Sequence, residues 1–406
     1  MQESSRATPQ TLRYDEKQKA ILAAATLAFN ERGVRGANLA EIAAAVGLTT
    51  ASVTYYYKKK ETLAAACFFD AVATYAKINH VPDELTDNER RLSTLIAAHF
   101  SLWSDVMLQN RQRPIMFDEI RTLSERVSQP IFAAYTDMFK QLRSSLFPRD
   151  LFSELSRIDQ NARTHFVLGS LLWLPVWVLR QEVEDHPFNA KRFADLLLHG
   201  FAARNWQPSN AAITIPTSET DPRESFLHAA TKLINEHGYH GASVEKISAY
   251  LNVSKGSFYH HNQNKDELVL DCFERTLSVI RHAQNAGREL PFSGLDRLRA
   301  ICTALVEYQL SSRGPLLRAT ALAALPGANR REMITRMNRL SDRFASIIAD
   351  GIIDGSIRPV DPQLGGQLIN PMINGAAELR RWCPQANSEN VARLYVDPLM
   401  KGLYCT

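Results

Sequence analysis

The apolar residues along this chain recur mostly at every third or fourth position, which is the spacing of one buried face on an α-helix. The first such face is formed from Lys17 onward by Ile21, Leu22, Ala25, Ala28 and Phe29, and Gly33 ends it. Asn38 is placed to cap a second short helix, and Thr49 caps a third after a tight turn at Gly47. No segment shows a convincing two-residue alternation of apolar and polar residues, the mark of a half-buried β-strand. The pattern therefore predicts an all-α protein.

The same pattern occurs a second time, 205 positions later in the chain. Sixteen residues are identical in this single register: Leu22, Ala24, Ala25, Thr26, Asn30, Glu31, Gly33, Gly36, Ala37, Ile42, Ala44, Ser52, Lys60, Leu63, Cys67 and Phe68 match Leu227, Ala229, Ala230, Thr231, Asn235, Glu236, Gly238, Gly241, Ala242, Ile247, Ala249, Ser257, Lys265, Leu268, Cys272 and Phe273. The chain is therefore predicted to hold two copies of one unit.

Composition and apolar faces divide these copies into six segments. Residues 1–16 are predicted to be a flexible arm, 17–64 a small helical domain and 65–206 a larger helical domain. Residues 207–220 are rich in Pro, Ser and Thr, which indicates a linker that could span about 45 Å at ~3.3 Å per residue. Residues 221–269 and 270–406 repeat the small and the large domain.

Composition excludes several classes of protein. With 45% hydrophobic residues and a net charge of only +4, the 406-residue chain is neither disordered nor a general polyanion binder. Its five cysteines are odd in number and show no paired spacing, so we expect reduced thiols and a cytoplasmic location. The start lacks the apolar core of a signal peptide, and the longest apolar run, 166–179, is too short to span a bilayer. We expect no cofactor, no metal and no membrane partner.

The stretch 49–63 carries the most telling chemistry. It combines a capping hydroxyl at Thr49, small residues, the tyrosines Tyr55 and Tyr56, and three consecutive lysines at 58–60. A helix start directs backbone N–H groups outward, tyrosine hydroxyls donate to phosphate oxygens, and lysines add salt-dependent attraction. A lysine run alone is more often a solvated face, but here the stretch lies in a segment that occurs twice.

Two short helices joined by a glycine-containing turn are typical of a helix-turn-helix. The helix before Gly33 and Gly36, the segment 38–46, the tyrosine-rich helix and the run 60–63 resemble the DNA-binding domain of the tetracycline-repressor (TetR) family. The second copy resembles it through Gly238 and Gly241, the segment 243–251, the run 253–259 and the run 265–268. The copies depart from the family pattern at Thr54, where a tyrosine is usual, and at Asn262, where an aromatic residue is usual.

The resemblance implies that each third helix enters the major groove of double-stranded DNA. The candidate DNA-binding residues are Asn38, Thr49, Thr50, Ala51, Ser52, Thr54, Tyr55, Tyr56 and Lys60 in the first copy, and Ser243, Ser254, Lys255, Gly256, Ser257, Tyr259, His260, His261 and Lys265 in the second. We call the DNA-binding domain of each copy, with its third helix, a reader. Because the two readers differ in sequence, we expect an asymmetric operator with half-sites ~34–36 Å apart. His260 and His261 could make binding by the second copy stronger towards pH 6, or could simply donate hydrogen bonds or stack.

Members of the family are typically homodimers whose C-terminal helices form a four-helix interface. The resemblance implies that this chain carries both halves as a covalent pseudo-dimer, with the paired helices at 164–180, 189–203, 363–382 and 388–403; assembly of two chains stays open. It also implies a small-molecule effector that releases DNA. The candidate ligand residues are Trp103, Met107, Phe117, Tyr135, Phe139, Trp173 and Trp177 in the more aromatic first copy, although such a stripe is more often core than pocket.

Two other classes of protein compete with a DNA-binding regulator. The sequence contains none of the common nucleotide-binding, zinc-hydrolase or nucleophile-elbow motifs, which disfavours an enzyme. A ligand sensor or protein-interaction module with one degenerate helix-turn-helix, more readily the second, is the remaining alternative. The sequence does not fix repression against activation, although repression is the usual role in the family.

Overall fold

The computed structural model describes residues 9–148, 152, 154–216, 222–253 and 264–405. The described residues are mostly helical and contain no β-strand; one isolated bridge joins Ala202 to Ile357. They form two compact bodies. The first body comprises 9–77 and 109–138, and the second comprises 78–108 and the described residues from 139 to 405. The all-α prediction is confirmed.

The first body is built on the first copy's small domain. Its helices are α1 (Pro9–Gly36), α2 (Leu39–Ala45), α3 (Thr50–Tyr56), most of α4 (Lys60–Asn79), a 3₁₀ turn at Phe117–Thr122 and the start of α6 (Glu125–Leu146). Its core joins α1 to α4 through Ile21, Phe29 and Phe68, each at most 2% exposed. Ile115, Ile120 and Ile131 from the later segment complete that core.

The second body contains the remaining helices. They are α5 (Asn88–Met107), α7 (Arg157–Trp177), α8 (His186–His199), α9 (Pro222–Gly241), α10 (Val244–Tyr250), α11 (Lys265–Arg288), α12 (Gly294–Leu310), α13 (Gly327–Ile353), α14 (Pro362–Ala376), α15 (Leu379–Trp382) and α16 (Asp397–Lys401). Short 3₁₀ turns lie at Val178–Arg180, Val183–Asp185 and Ala319–Ala324, and a π-helical turn lies at Ala392–Val396. Helix α7 with its following turn, Arg157–Arg180, is long and apolar enough to cross a membrane, but 72% of its apolar window is buried in the protein, as in a core helix.

The internal repeat is reproduced in backbone geometry. Gly33 has φ 70° and ψ 164°, and Gly238 has φ 70° and ψ 168°. This left-handed region favours glycine, because a Cβ would clash with the backbone there. The thiol of Cys67 lies 3.7 Å from the carbonyl of Leu22, and the thiol of Cys272 lies 3.6 Å from that of Leu227. The prediction of two copies of one unit is confirmed.

The predicted N-terminal arm is wrong for residues 9–16. Helix α1 begins at Pro9, eight residues before Lys17. Proline suits the first turn of a helix, since its missing N–H has no intrahelical partner there. Tyr14 on this added length packs against Tyr56, with ring centroids 4.7 Å apart, and this contact stabilises the extension. Residues 1–8 lie outside the described residues.

The described part of the predicted linker, 207–216, is extended but docked along the second copy. The backbone N–H of Ser209 donates to Asp296, and the carbonyl of Ile215 accepts from Arg313 at 2.6 Å. The side chain of Ile215 is 5% exposed, and Ile213 reaches the face of α11 at Gly287. Residues 207–216 therefore join the two copies as a segment that is held against the second copy.

Helices from the two copies pack directly against each other within the second body. His165 on α7 lies 2.9 Å from the carbonyl of Gly375 on α14, and Asn161 donates to the carbonyl of Trp382 at 2.9 Å. Gly200 with φ 65° meets the chain at Met400, where an added Cβ would lie 2.4 Å from the carbonyl oxygen.

The four predicted pairing helices are present with shifted ends. The segment 164–180 belongs to α7, which begins at Arg157, and 189–203 belongs to α8, which begins at His186. The segment 363–382 is divided into α14 and α15, and 388–403 into the π-helical turn and α16. Pro398 at the start of α16 favours such a division, because proline suits the first turn of a new helix.

Candidate nucleic-acid interface

Helix α3 of the first copy is anchored by its buried face and capped at its N-terminus. Val53 is fully buried and Tyr57 is 6% exposed, so both anchor the helix to the three-helix core. Thr49 has extended backbone angles, and its Oγ1 accepts a hydrogen bond from the N–H of Ser52 at 3.2 Å. This N-cap satisfies one N–H of the first turn and leaves others directed outward.

The predicted contact residues of α3 lie on its solvent side. Thr49, Thr50 and Ala51 are exposed, and Ser52 and Thr54 are half-buried. The hydroxyl of Thr54 donates to the carbonyl of Ala51 at 2.9 Å, so its proton is used inside the helix. Thr54 can therefore accept a hydrogen bond from DNA but is poorly placed to donate one.

Three tyrosines form a cluster beside the end of α3. Tyr55 is 76% exposed, and its ring meets Tyr56 edge-on at 5.5 Å between centroids. Tyr14 from α1 contacts both rings, at 6.5 Å from Tyr55 and 4.7 Å from Tyr56. The sequence reasoning missed Tyr14, because it lay in the predicted arm. An exposed tyrosine cluster next to the exposed Lys58 and Lys59 provides hydroxyl donors and positive charge for phosphate oxygens.

Lys60 and Lys265 are half-buried and bind backbone carbonyls of their own copy, and their contact with DNA stays a prediction. The ammonium of Lys60 donates to the carbonyls of Arg35 at 2.9 Å and Ala37 at 2.8 Å. Lys265 likewise donates to the carbonyl of Tyr239 and lies 4.1 Å from the centre of that ring. Both lysines satisfy carbonyls near the glycine kink that ends the first helix of their copy. Burial lowers the pKa of Lys60, which agrees with its inward position.

The second helix of each small domain also begins at a predicted contact residue. Asn38 caps α2, with its Oδ1 accepting from the N–H of Ala40 at 2.9 Å. Ser243 caps α10, with its Oγ accepting from the N–H of Lys246 at 3.3 Å. The exposed amide of Asn38 keeps its NH₂ group available to a phosphate.

The reader of the second copy cannot be compared directly. Its predicted residues Ser254, Lys255, Gly256, Ser257, Tyr259, His260 and His261 lie outside the described residues, as does Asn262. The preceding turn is described: Asn252 has φ 55°, and Val253 donates to the carbonyl of Ser248 at 2.9 Å. The first copy makes the matching bond from Leu48 to Ala43 at 2.9 Å.

One asparagine in each copy fastens the small domain to the segment that follows the larger domain's first long helix. The side chain of Asn30 donates to the carbonyl of Pro114 at 3.0 Å and accepts from the N–H of Met116 at 3.0 Å. Asn235 repeats this double contact with the carbonyl of Leu316 at 2.9 Å and the N–H of Arg318 at 3.1 Å. We call this arrangement the asparagine clamp.

None of the predicted ligand residues lines either of two cavities in the second body. Trp103, Phe139 and Trp177 are at most 3% exposed, and Phe139 stacks on Trp382 with centroids 3.6 Å apart. Phe117 and Tyr135 pack together in the first body, with centroids 5.0 Å apart. Cavities of about 410 Å³ near residue 147 and about 760 Å³ in the second copy are lined by none of the seven residues, Met107 and Trp173 included. Trp103, Phe139 and Trp177 therefore belong to the core, and the other four residues are half-buried. The larger of these two cavities lies in the second copy.

A three-helix domain with a capped, exposed third helix, whose first two helices recur as α9 and α10 in the second copy, is typical of helix-turn-helix DNA-binding proteins. The model of the tetR family of bacterial regulatory proteins matches residues 21–67 and again 226–272, and a tetracyclin repressor-like C-terminal domain matches 292–403. The chain belongs to the tetR family, and it is a transcriptional regulator with two such DNA-binding domains.

Several known proteins are similar to a single copy. The HTH-type transcriptional regulator YxaF of Bacillus subtilis is 36% identical over 171 residues, which are 40% of this chain and 86% of YxaF. YhgD of the same organism is 26% identical over 45% of this chain and 97% of its own length. The HTH-type transcriptional repressor DhaR of Mycobacterium sp. is 26% identical over 35% of this chain and 72% of its own length. Among solved structures, PfmR of Thermus thermophilus is 27% identical with a TM-score of 0.37, over 44% of this chain and 98% of PfmR.

Proposed function

We propose that this chain is a transcriptional repressor that carries both half-site readers of its operator in one polypeptide. The observation that supports this most directly is the contact between α7 and α14, helices of different copies. In a homodimer such contacts come from two chains, whereas here one chain supplies both sides. The name of the relative DhaR, a repressor, supports repression as the sign of regulation.

Polar contacts between the copies support a specific interface. Arg163 on α7 donates to the carbonyl of Leu403 at 2.6 Å, and Arg393 pairs with Asp159 at 2.6 Å. Arg358 reaches the carbonyl of Gly200 at 2.8 Å. Buried donors and acceptors that find partners across a helix interface fix its register as well as its affinity.

The operator is asymmetric in this proposal, with half-sites about one helical turn, ~34–36 Å, apart. The first reader offers hydroxyls and tyrosines at 49–56, while the second offers lysine, glycine and histidines at 255–261. These residue sets cannot favour the same bases. A degenerate second reader remains the competing proposal, in which sequence opposite the second copy would not matter.

The proposed segmentation follows the copies: helical readers at 17–64 and 221–269, and larger helical domains at 65–206 and 270–406. We place the protein in the cytoplasm, with a double-stranded DNA operator and a small-molecule effector as its partners. The asparagine clamps support effector control, because they tie each larger domain to its reader through paired hydrogen bonds of 2.9–3.1 Å.

Selection of bound duplexes from a random library, at two salt concentrations and with the mass of the complex, tests the proposal. We expect one asymmetric motif bound by a single chain, with affinity that falls steeply as salt rises. Tyr55→Ala should then weaken binding to duplexes that retain only the first half-site, and His260→Gln with His261→Gln to duplexes that retain only the second. A palindrome bound by two chains would contradict the fused arrangement, and tolerance of any sequence at the second half-site would favour the degenerate reader.

A further inference from the structure

A cleft of about 760 Å³ lies in the second body between α9, α11 and the end of α12. This volume falls within the usual range of ligand pockets, ~300–1,000 Å³. The end of the docked linker, at Pro216, forms part of its wall. The cleft therefore touches the second small domain, the larger domain and the connection between the copies.

The floor of the cleft is a buried and fully engaged arginine. The side chain of Arg275 is 5% exposed, and its Nε lies 2.5 Å from Glu224 on α9. Its Nη2 donates to the hydroxyl of Tyr308 at 2.8 Å and to the carbonyl of Arg313 at 2.8 Å. A charged group that is buried and held from three sides makes the floor rigid and polar.

The charges around this floor leave an excess of positive charge. Glu224 is paired with Arg275, Asp271 with Arg223 at 2.8 Å, and Glu274 with an arginine of α13. Two further lining arginines, Arg281 and Arg313, have no carboxylate partner among the described residues. The guanidinium of Arg313 lies over the ring of Tyr308, 5.2 Å from its centre, and among the described residues it donates to the backbone carbonyl of Ile215.

The first copy lacks this arrangement. At the positions that match Asp271, Glu274 and Arg281, 205 residues earlier, it has Ala66, Phe69 and Ala76. The charged cleft is therefore a property of the second copy and not of the repeated unit.

We infer that this cleft is a binding site for a small organic anion, with Arg281 and Arg313 binding the anionic group. Leu227, Val279 and the ring of Tyr308 supply apolar surface beside it, so the ligand carries an apolar body as well as its charge. Guanidinium groups bind planar carboxylates and phosphates through paired hydrogen bonds. The paired acids of the lining disfavour ligands with several negative charges.

Occupancy of the cleft would act on the second reader, a consequence that rests on the proposed function. Helix α9 is the first helix of the second small domain, and Glu224 at its start is bound to Arg275 on α11. An anion that draws Arg313 towards itself competes with the linker carbonyl of Ile215. Ligand binding would thereby change both the position of α9 and the docking of the linker.

Calorimetric titration of the full chain at constant ionic strength tests the site. The probes are sodium benzoate, inorganic phosphate and benzamide, a neutral shape analogue of benzoate. We expect saturable binding of one benzoate per chain, weaker binding of phosphate, which lacks the apolar body, and none of benzamide. Arg313→Gln should weaken benzoate binding about tenfold and Arg281→Gln about threefold. The charge-matched control Arg339→Gln removes an exposed arginine of α13 that does not line the cleft and should change nothing.

Equal binding of benzamide and benzoate, unchanged binding by both cleft variants, or no saturable heat would overturn the inference. Arg281 is exposed, so its variant tests the site even where Arg313→Gln perturbs folding. DNA affinity is measured separately with and without benzoate. A chain that binds no DNA would refute the proposed function, while the titration would still decide the anion site.

Discussion

The asparagine clamp allows the two copies to be perturbed in the same way and compared. Asn30→Ala removes the bonds to the carbonyl of Pro114 and from the N–H of Met116, both 3.0 Å long. Each lost hydrogen bond costs about 0.5–1.5 kcal/mol, so the local loss is about 1–3 kcal/mol. Asn235→Ala makes the equivalent change in the second copy.

Hydrogen exchange followed by mass spectrometry measures the loss locally. A loss of about 2 kcal/mol corresponds to roughly thirtyfold faster exchange, since each 1.4 kcal/mol is a factor of ten. We expect Asn30→Ala to accelerate hydrogen exchange in peptides around Met116 and to leave exchange around Arg318 unchanged. Asn235→Ala should do the reverse. The exposed Asn110, replaced by alanine, is the control.

We expect each clamp variant to weaken DNA binding only at the half-site of its own copy. Asn30→Ala should weaken binding to duplexes that retain only the first half-site, and Asn235→Ala to those that retain only the second. If either variant accelerated exchange equally in both copies, or left its own clamp segment protected, the view of the clamp as a local connection in each copy would be refuted.

Three further predictions concern the interface between copies and the tyrosine cluster. Gly200→Ala should lower the free energy of unfolding by at least about 2 kcal/mol more than Gly355→Ala in denaturant titrations, because both glycines have positive φ but only Gly200 lacks space for a Cβ. Tyr14→Ala should weaken operator binding several-fold in a gel-shift titration while Tyr56 stays folded in place, and an unchanged affinity would remove Tyr14 from the interface. Burial raises the pKa of Asp159, but its hydrogen bonds to Ser156 and Arg393 outweigh that and lower the pKa below 3.8. Its folded-state stabilisation is thus present above pH 3.8 and lost as pH falls towards the lowered pKa, so Asp159→Asn should flatten the acid end of the stability profile.

The repeat and its helices could be predicted from sequence because they depend on local spacing. Asn38 and Thr49 were expected as caps and are caps, since capping involves residues two or three positions apart. The TetR resemblance was carried by that spacing, and the family assignment confirms it.

The errors concern contacts between residues distant in sequence. Nothing in the sequence indicated that the ammonium of Lys60, predicted to bind DNA, also donates to carbonyls 23 and 25 residues earlier. Tyr14 was assigned to an arm because its partners lie about forty residues later, at Tyr55 and Tyr56. The cleft in the second copy depends on ion pairs such as Arg275 with Glu224, 51 residues apart. The spacing of apolar residues along the sequence does not indicate such long-range pairings.

The helix contacts between the copies have a consequence for how the protein responds to dilution. Two separate subunits lose their partner as concentration falls, so the amount of complete reader falls with the square of the chain concentration. Here α7 and α14 belong to one chain, joined through a linker that is itself docked by Ser209 and Ile215. If both DNA-binding domains act within one chain, as proposed, the covalent connection fixes the effective concentration of the partner domain, whatever the number of molecules in the cell. Occupancy of the operator would then follow the first power of chain number, and even a few molecules would remain competent.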